Sequence, residues 1–180
     1  RDRADFFCTL AEGIKGKRAL EWNLIDELVP RSKLMDIAME RALELAEKST
    51  RPTDELGIEL NPISREITGN KITYSTISIE LNRELYTAEI TVHAPESKPP
   101  QDPESIHAAG TKFWHLAFAR DLDDLILHMR SNETEISAWV FKSLGNSDYI
   151  DAGDEALLKH SDNWLIREIT LYLKRTFKRL

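Results

Sequence analysis

The sequence predicts a mixed α/β fold for residues 72–180. Three observations carry that reading. Two neighbouring segments, "ITYSTISIEL" and "LYTAEITVHA", alternate apolar and polar residues around Asn82-Arg83-Glu84, the mark of a half-buried hairpin. Asp102-Pro103 then opens a long helical pattern, with Asp as cap and Pro at the first helical position. The apolar run in "EISAWVFKSLG" follows, and a last amphipathic helix closes the chain. Hairpin, helix, strand, loop, helix is the order of an α/β unit, whose next strand is expected just beyond Leu180.

The elements are justified in chain order. Residues 1–12 read as the end of a helix, with Ala4, Phe7, Cys8 and Ala11 at helical spacing. Gly13 and Gly16 bracket a turn, Lys17 to Trp22 forms a short helix, and Asn23 stops it in a left-handed conformation. "LIDELV" is a short strand or extended segment ended by Pro30. Ser32 is the expected cap of the next helix, with Asp36 in its first turns. Its stripe is Leu34, Ala38, Ala42 and Leu45. Residues 51–71 lose long periodicity and hold two prolines and two glycines, so a linker or wrapping segment with a domain boundary is expected there.

In the hairpin, Ala88, Ile90, Val92 and Ala94 form one face of the second strand, and Ile77, Ile79 and Leu81 one face of the first. Ile72 and Tyr74 sit out of phase, which predicts a bulge or a later strand start. "PESKPPQDP" is a loop. The helix after it is expected to run to about Arg130 with a bend near Gly110, burying Phe113, Leu116, Leu122, Leu125, Ile126 and Met129. The "AWVF" run suits a central strand buried on both faces. Asp162 is the expected cap of the last helix, whose stripe is Leu165, Ile169, Leu173, Phe177 and Leu180.

The 180 residues are 41% hydrophobic and 31% charged, enough for a real core and against global disorder. No apolar run reaches the roughly 18 residues of a membrane span, and no signal peptide opens the chain. The single cysteine, Cys8, excludes an internal disulfide, fits a cytoplasmic setting and reads as a small buried hydrophobe. A net charge of -7 argues against general nucleic-acid binding. Residues 164–180 carry +4 and the rest -11. That basic tail can meet coenzyme phosphates, a partner or an acidic membrane. The plainer reading is a helix whose cations complement its dipole.

Chemistry is sparse. His107, His115 and His128 are spaced by eight and thirteen residues on one helix, a poor arrangement for a metal. With His93 and His160 they read as surface or satisfied histidines, and no metal is expected. The carboxylates of "DLDD", Asp121 to Asp124, read as a solvated face, Asp121 and Asp124 lying opposite the apolar stripe. No catalytic residue stands out. The best-placed candidate is the loop "GNSDYIDAGDEA", Gly145 to Ala156, beyond the carboxyl end of a strand. Backbone amides near Gly153 and Asp154 can receive an anion or a thioester oxygen, although glycines also serve ordinary turns.

The stretch "ADFFCT…GKRALEWNLIDELVP…LMDIAMERALELAEKS" resembles the closing segment of the crotonase (enoyl-CoA hydratase/isomerase) family. Ala19, Trp22, Asn23, Leu24, Ile25, Asp26 and Val29-Pro30 occupy its terminal pattern, with Asn23 for the usual glycine. The continuation, including "TVHAPESKPPQDPESIHAAGTKFWHLAFARDLDDLILHMRSNETEI" and "HSDNWLIREITLYLKRTFKRL", resembles the benzoyl-CoA-dihydrodiol lyase branch. That resemblance implies the end of a first crotonase-like domain at 1–50, a linker at 51–71 and the start of a second at 72–180. It implies an acyl-CoA substrate, namely the epoxide ring of 2,3-epoxybenzoyl-CoA, opened with release of formate. It implies no cofactor, a homodimer, and an internal piece of a longer enzyme whose catalytic carboxylates precede Arg1. The 180 residues alone are then expected to be inactive. Ala152-Gly153-Asp154 matches the family's oxyanion pattern in part, with Ile150 for the aromatic and the Asp one place early. The open alternatives are a non-catalytic acyl-CoA-binding or assembly module and another enoyl-CoA hydratase/isomerase.

Overall fold

The predicted hairpin forms, but it is the middle of a larger sheet. A computed structural model of the chain describes residues 2–50, 54 and 57–180. Its five strands lie in the order β1-β2-β3-β4-β5. β1 (Glu66–Thr68), β2 (Lys71–Thr73), β3 (Ile77–Asn82) and β4 (Thr87–His93) form an antiparallel meander, and β5 (Ala138–Leu144) joins β4 in parallel. The predicted first strand is therefore two strands. The chain turns between them, with Tyr74 N–H donating to the Ile77 carbonyl at 2.8 Å, which accounts for the phase change.

Between β4 and β5 run α4 (Pro103–Ala109) and α5 (Trp114–Asn132). Asp102 accepts from the Ser105 amide, as its capping position predicts, and the expected bend at Gly110 is a full break at φ 52°. α5 lays Phe118, Leu122, Leu125, Ile126 and Met129 across Ile72, Ile79 and Ile90 of the sheet. After β5 come α6 (Ser147–Lys159) and α7 (Trp164–Phe177). Ala156 and Leu157 of α6 meet Leu165, Ile166 and Ile169 of α7 in a second core with Ile106, Phe113 and Leu116. α7 is capped by Asn163, not Asp162, because the Asn163 side chain accepts from the Leu165 and Ile166 amides.

Among the described residues β5 pairs only with β4, and Val140, Phe141 and Leu144 stay 49%, 43% and 62% exposed, so the second neighbour expected of a central strand is not found among them.

The chain divides into two compact units between residues 51 and 52. In the second, part of the expected linker is folded. Ile58 and Ile63 pack on its two cores, and the Asn61 carbonyl accepts from Arg120. The linker positions 51–53 and 55–56 lie outside the described residues, as do the side chains of Ala4 and Phe7.

The first unit holds α1 (Asp2–Cys8), α2 (Gly16–Glu21) and α3 (Leu34–Glu47). Asn23 takes the expected left-handed conformation, at φ 55°. "LIDELV" forms no strand; Leu24 N–H donates to the Ala19 carbonyl at 3.0 Å and Glu27 accepts from Arg41 at 3.0 Å. Ser32 makes no side-chain cap, because a short 3-10 turn over Arg31–Lys33 leads into α3 instead. Cys8 is exposed, not buried, while Phe6, Arg18 and Trp22 beside it contact one another. No residue of α3 is buried, so its stripe is uncovered within this unit.

Candidate functional site

Gly153 and Asp154 do not stand in a loop. Gly145 ends β5 at φ 114°, its Cα lying so near Ala94 that a Cβ there would sit 2.8 Å from the Ala94 Cβ. Asn146 then accepts from the Asp148 amide and caps α6 at once. Residues 147–159 are helical, so the amides of Gly153 and Asp154 belong to the internal hydrogen-bond ladder. An oxyanion donor has to be unspent, and these are not. Glycine disfavours a helix interior by about 1 kcal/mol, so its presence at 153 needs a packing reason.

That reason is His115. It sits in the first turn of α5, 2% exposed, with its ring stacked on Phe113 at 5.2 Å and met edge-on by Trp114 at 5.1 Å. A Cβ on Gly153 would lie 1.9 Å from His115 Cε1. Nε2 and Asp154 Oδ1 are 3.1 Å apart, and since a carboxylate only accepts, Nε2 donates. Nδ1 is buried with no hydrogen-bond partner. Burial lowers the His115 pKa below the usual histidine value, against the opposing pull of Asp154 and the Ile150 carbonyl. The folded ring is therefore held toward its neutral form.

Around this contact the chain is tied down. Gln101 Nε2 donates to the Ala152 carbonyl at 3.2 Å, and His160 Nε2 donates to the Gln101 carbonyl at 3.1 Å. The "PESKPPQDP" loop is thus fastened to the middle of α6 and to the residue that caps its C-terminal end. The arrangement is a carboxylate–imidazole pair with the carboxylate 60% exposed and the ring inside. It suits a structural fastening with one titratable member better than an anion receptor.

No known family model matches the chain. It is 33% identical, over all of its 180 residues, to a benzoyl-CoA-dihydrodiol lyase of Aromatoleum evansii. The chain spans about a third, 32%, of that protein's length. The relative and the motif-based resemblance point the same way, to a protein related to that lyase. The aligned span includes both units, so it takes in Gly153, Asp154 and His115.

The other candidates resolve as fastenings. Asp121 is 4% exposed, not solvated, and its Oδ2 accepts from Ser75 Oγ, Thr76 N and Thr76 Oγ1 at 2.6, 2.9 and 2.8 Å. Asp124 accepts from Arg65 and Tyr74. Asp123 accepts from Tyr172, whose pKa is pushed up to about 12 by burial and that carboxylate, and it also pairs with Arg179. Asp121 turns inward because the β2–β3 turn presents three donors to it.

The histidines divide. His93 bonds Ser78, and His128 bonds Asn132. His115 and His128 are buried rather than on the surface. Among the described residues no group of three or more His, Cys, Asp or Glu is arranged to hold a metal. None of their helices is long and apolar enough to cross a membrane. An open cleft of about 910 Å³ lies by the starts of α4 and α7, lined by Asp54, Asp102, Glu104 and His107. The Ser105 amide holds Asp102 below the usual carboxylate range, so this lining is anionic and repels phosphate.

Proposed function

We propose that this chain supplies scaffold to a coenzyme A-thioester lyase of the benzoyl-CoA-dihydrodiol lyase family, built on a crotonase-like frame. In that reading the whole enzyme opens 2,3-epoxybenzoyl-CoA with water and releases formate. Residues 1–50 close one crotonase-like domain and residues 72–180 open a second. The substrate is an acyl-CoA, no cofactor is assigned, and the enzyme is a cytoplasmic homodimer. The observation that supports this is 33% identity in an alignment that takes in all 180 residues. The geometry supports the scaffold part. Hydrolytic opening next to a thioester needs unspent oxyanion donors and carboxylates that can handle water. Here the candidate amides lie inside α6, and Asp121, Asp123 and Asp124 each hold an element in place.

The test is formate release from 2,3-epoxybenzoyl-CoA, measured for these 180 residues and for the whole related enzyme side by side. No turnover by the 180 residues is expected. Turnover comparable to the whole enzyme overturns the scaffold reading. The alternative of an acyl-CoA-binding module is separated by calorimetry with coenzyme A: binding that Gly153→Val abolishes, in a variant with an unchanged far-ultraviolet spectrum, favours it.

A further inference from the structure

A cleft of about 640 Å³ runs between α5, α7 and the strap before β1, and its lining changes character along its length. α7 turns Leu165, Ile169, Tyr172 and Arg175 toward it, at spacings of four, three and three, so one helix face passes from apolar to cationic. α5 repeats that order one turn apart, with Leu116 before Arg120. The like ends coincide. Leu116, Leu165 and Ile169 share the second core, and both guanidiniums pull on the Tyr172 hydroxyl at the other end. Leu60 of the strap and Leu171 stand on the rim, 62% and 46% exposed.

The charge here runs against that of the chain. The protein carries -7, and the cleft at the starts of α4 and α7 is lined by Asp54, Asp102 and Glu104. Between α5 and α7 the lining has two arginines and one carboxylate, Glu168. Arg120 donates to the Asn61 carbonyl at 2.6 Å, and its fork has donors to spare. Arg175 lies over the Tyr172 ring, 4.8 Å from its centroid. It pairs with no carboxylate among the described residues, whereas Arg65, Arg83 and Arg179 do. A contact through the face of a guanidinium leaves its edge N–H groups open.

We infer that this cleft binds a free carboxylic acid with an extended apolar body, the carboxylate between Arg120 and Arg175 and the body along Ile169 and Leu165. The planar fork of arginine matches a carboxylate. Two arginines against one glutamate leave a single positive charge, which a monoanion neutralises and a phosphate dianion exceeds. The apolar body covers the rim leucines, and the volume lies in the range of small-molecule sites. The ligand is a free acid, not a coenzyme A thioester, so this inference does not rest on the lyase reading.

Calorimetric titration of the 180-residue chain with octanoate tests it, at low salt and again at high salt. Saturable binding of one octanoate per chain, weakening as salt rises, is expected. Octanol and octyltrimethylammonium should bind at least about tenfold more weakly, since neither offers the arginines an anion. Arg175→Gln should lose about tenfold, and Leu60→Glu, which sets a carboxylate on the rim, a similar factor. Both side chains are exposed, and circular dichroism checks that both variants keep the fold. Lys174→Gln removes a neighbouring exposed cation that does not line the cleft, and should bind as wild type does. No saturable binding by the wild type, octanol binding as tightly as octanoate, or a loss at 174 equal to that at 175 overturns the proposal. Octyl phosphate binding more tightly than octanoate overturns the assignment to a carboxylate.

Discussion

Gly153 and His115 occupy the same small space: a Cβ on the first would lie 1.9 Å from Cε1 of the second. A glycine inside a helix is here a steric allowance for a buried imidazole. Gly153→Ala should destabilise the second unit by about 1–3 kcal/mol through overpacking, although alanine favours a bare helix. Urea denaturation followed by tryptophan fluorescence measures this. In a double-mutant cycle with His115→Ala the alanine at 153 should cost much less, because the clash is gone. Equal costs in the two backgrounds would show that the contact is not the reason for the glycine.

The same histidine sets a pH dependence. Burial lowers its pKa in the fold, while the unfolded chain titrates near the ordinary 6.5. The unfolded state then binds a proton that the folded state resists, so this contribution is complete above about pH 6.5 and is lost as the pH falls below it. The wild-type urea midpoint should drop between about pH 7.5 and pH 5.5. His115→Gln keeps a donor for Asp154 and does not titrate, so its midpoint should fall less over that window. A parallel fall in both proteins would assign the acid sensitivity to other groups.

Local signals were legible in the sequence, and long-range pairings were not. Alternation found β3 and β4, the Asp102-Pro103 cap found α4, and periodicity found α5 and α7. Each of these is written within a few residues. β1 escaped because three residues are too short to show a period and none of them is buried, while β2 was merged with β3 into one predicted strand. The helix-prone "DEALLKH" marked the second half of α6, but its first half escaped because "GNSDYIDAGD" reads as a turn-rich loop, and only the position of His115, 38 residues earlier in the chain, explains a glycine in its interior. Asp121 looked solvated because its neighbours in sequence are charged, while its hydrogen-bond donors come from residues 75 and 76.

Asp121 should accordingly be among the costly carboxylates to remove. Its loss leaves the Thr76 amide and two hydroxyls without their acceptor in a buried turn. Asp121→Ala is expected to cost about 3 kcal/mol, and Asp121→Asn, which keeps one acceptor oxygen, roughly half of that. Chemical denaturation at pH 7 measures both, and amide exchange at Thr76 should quicken in the alanine variant. A surface role would instead leave both variants within about 0.5 kcal/mol of wild type.

The start of α7 separates two neighbouring residues that look interchangeable in sequence. Asp162 and Asn163 are both good capping types, yet only Asn163 takes the two free amides, at 3.0 Å from Leu165 N and 3.2 Å from Ile166 N. Its backbone is extended, at φ -69° and ψ 131°, while the residues after it are helical. Asn163→Ala should therefore cost about 1 kcal/mol, since it strands donors beside the buried Leu165 and Ile166. Asp162→Ala should stay within about 0.5 kcal/mol. Asn163→Asp should be close to neutral, because aspartate caps equally well and its charge suits a helix N-terminus. Urea denaturation of the three variants decides the assignment: a larger loss at 162 than at 163 would move the cap one residue back.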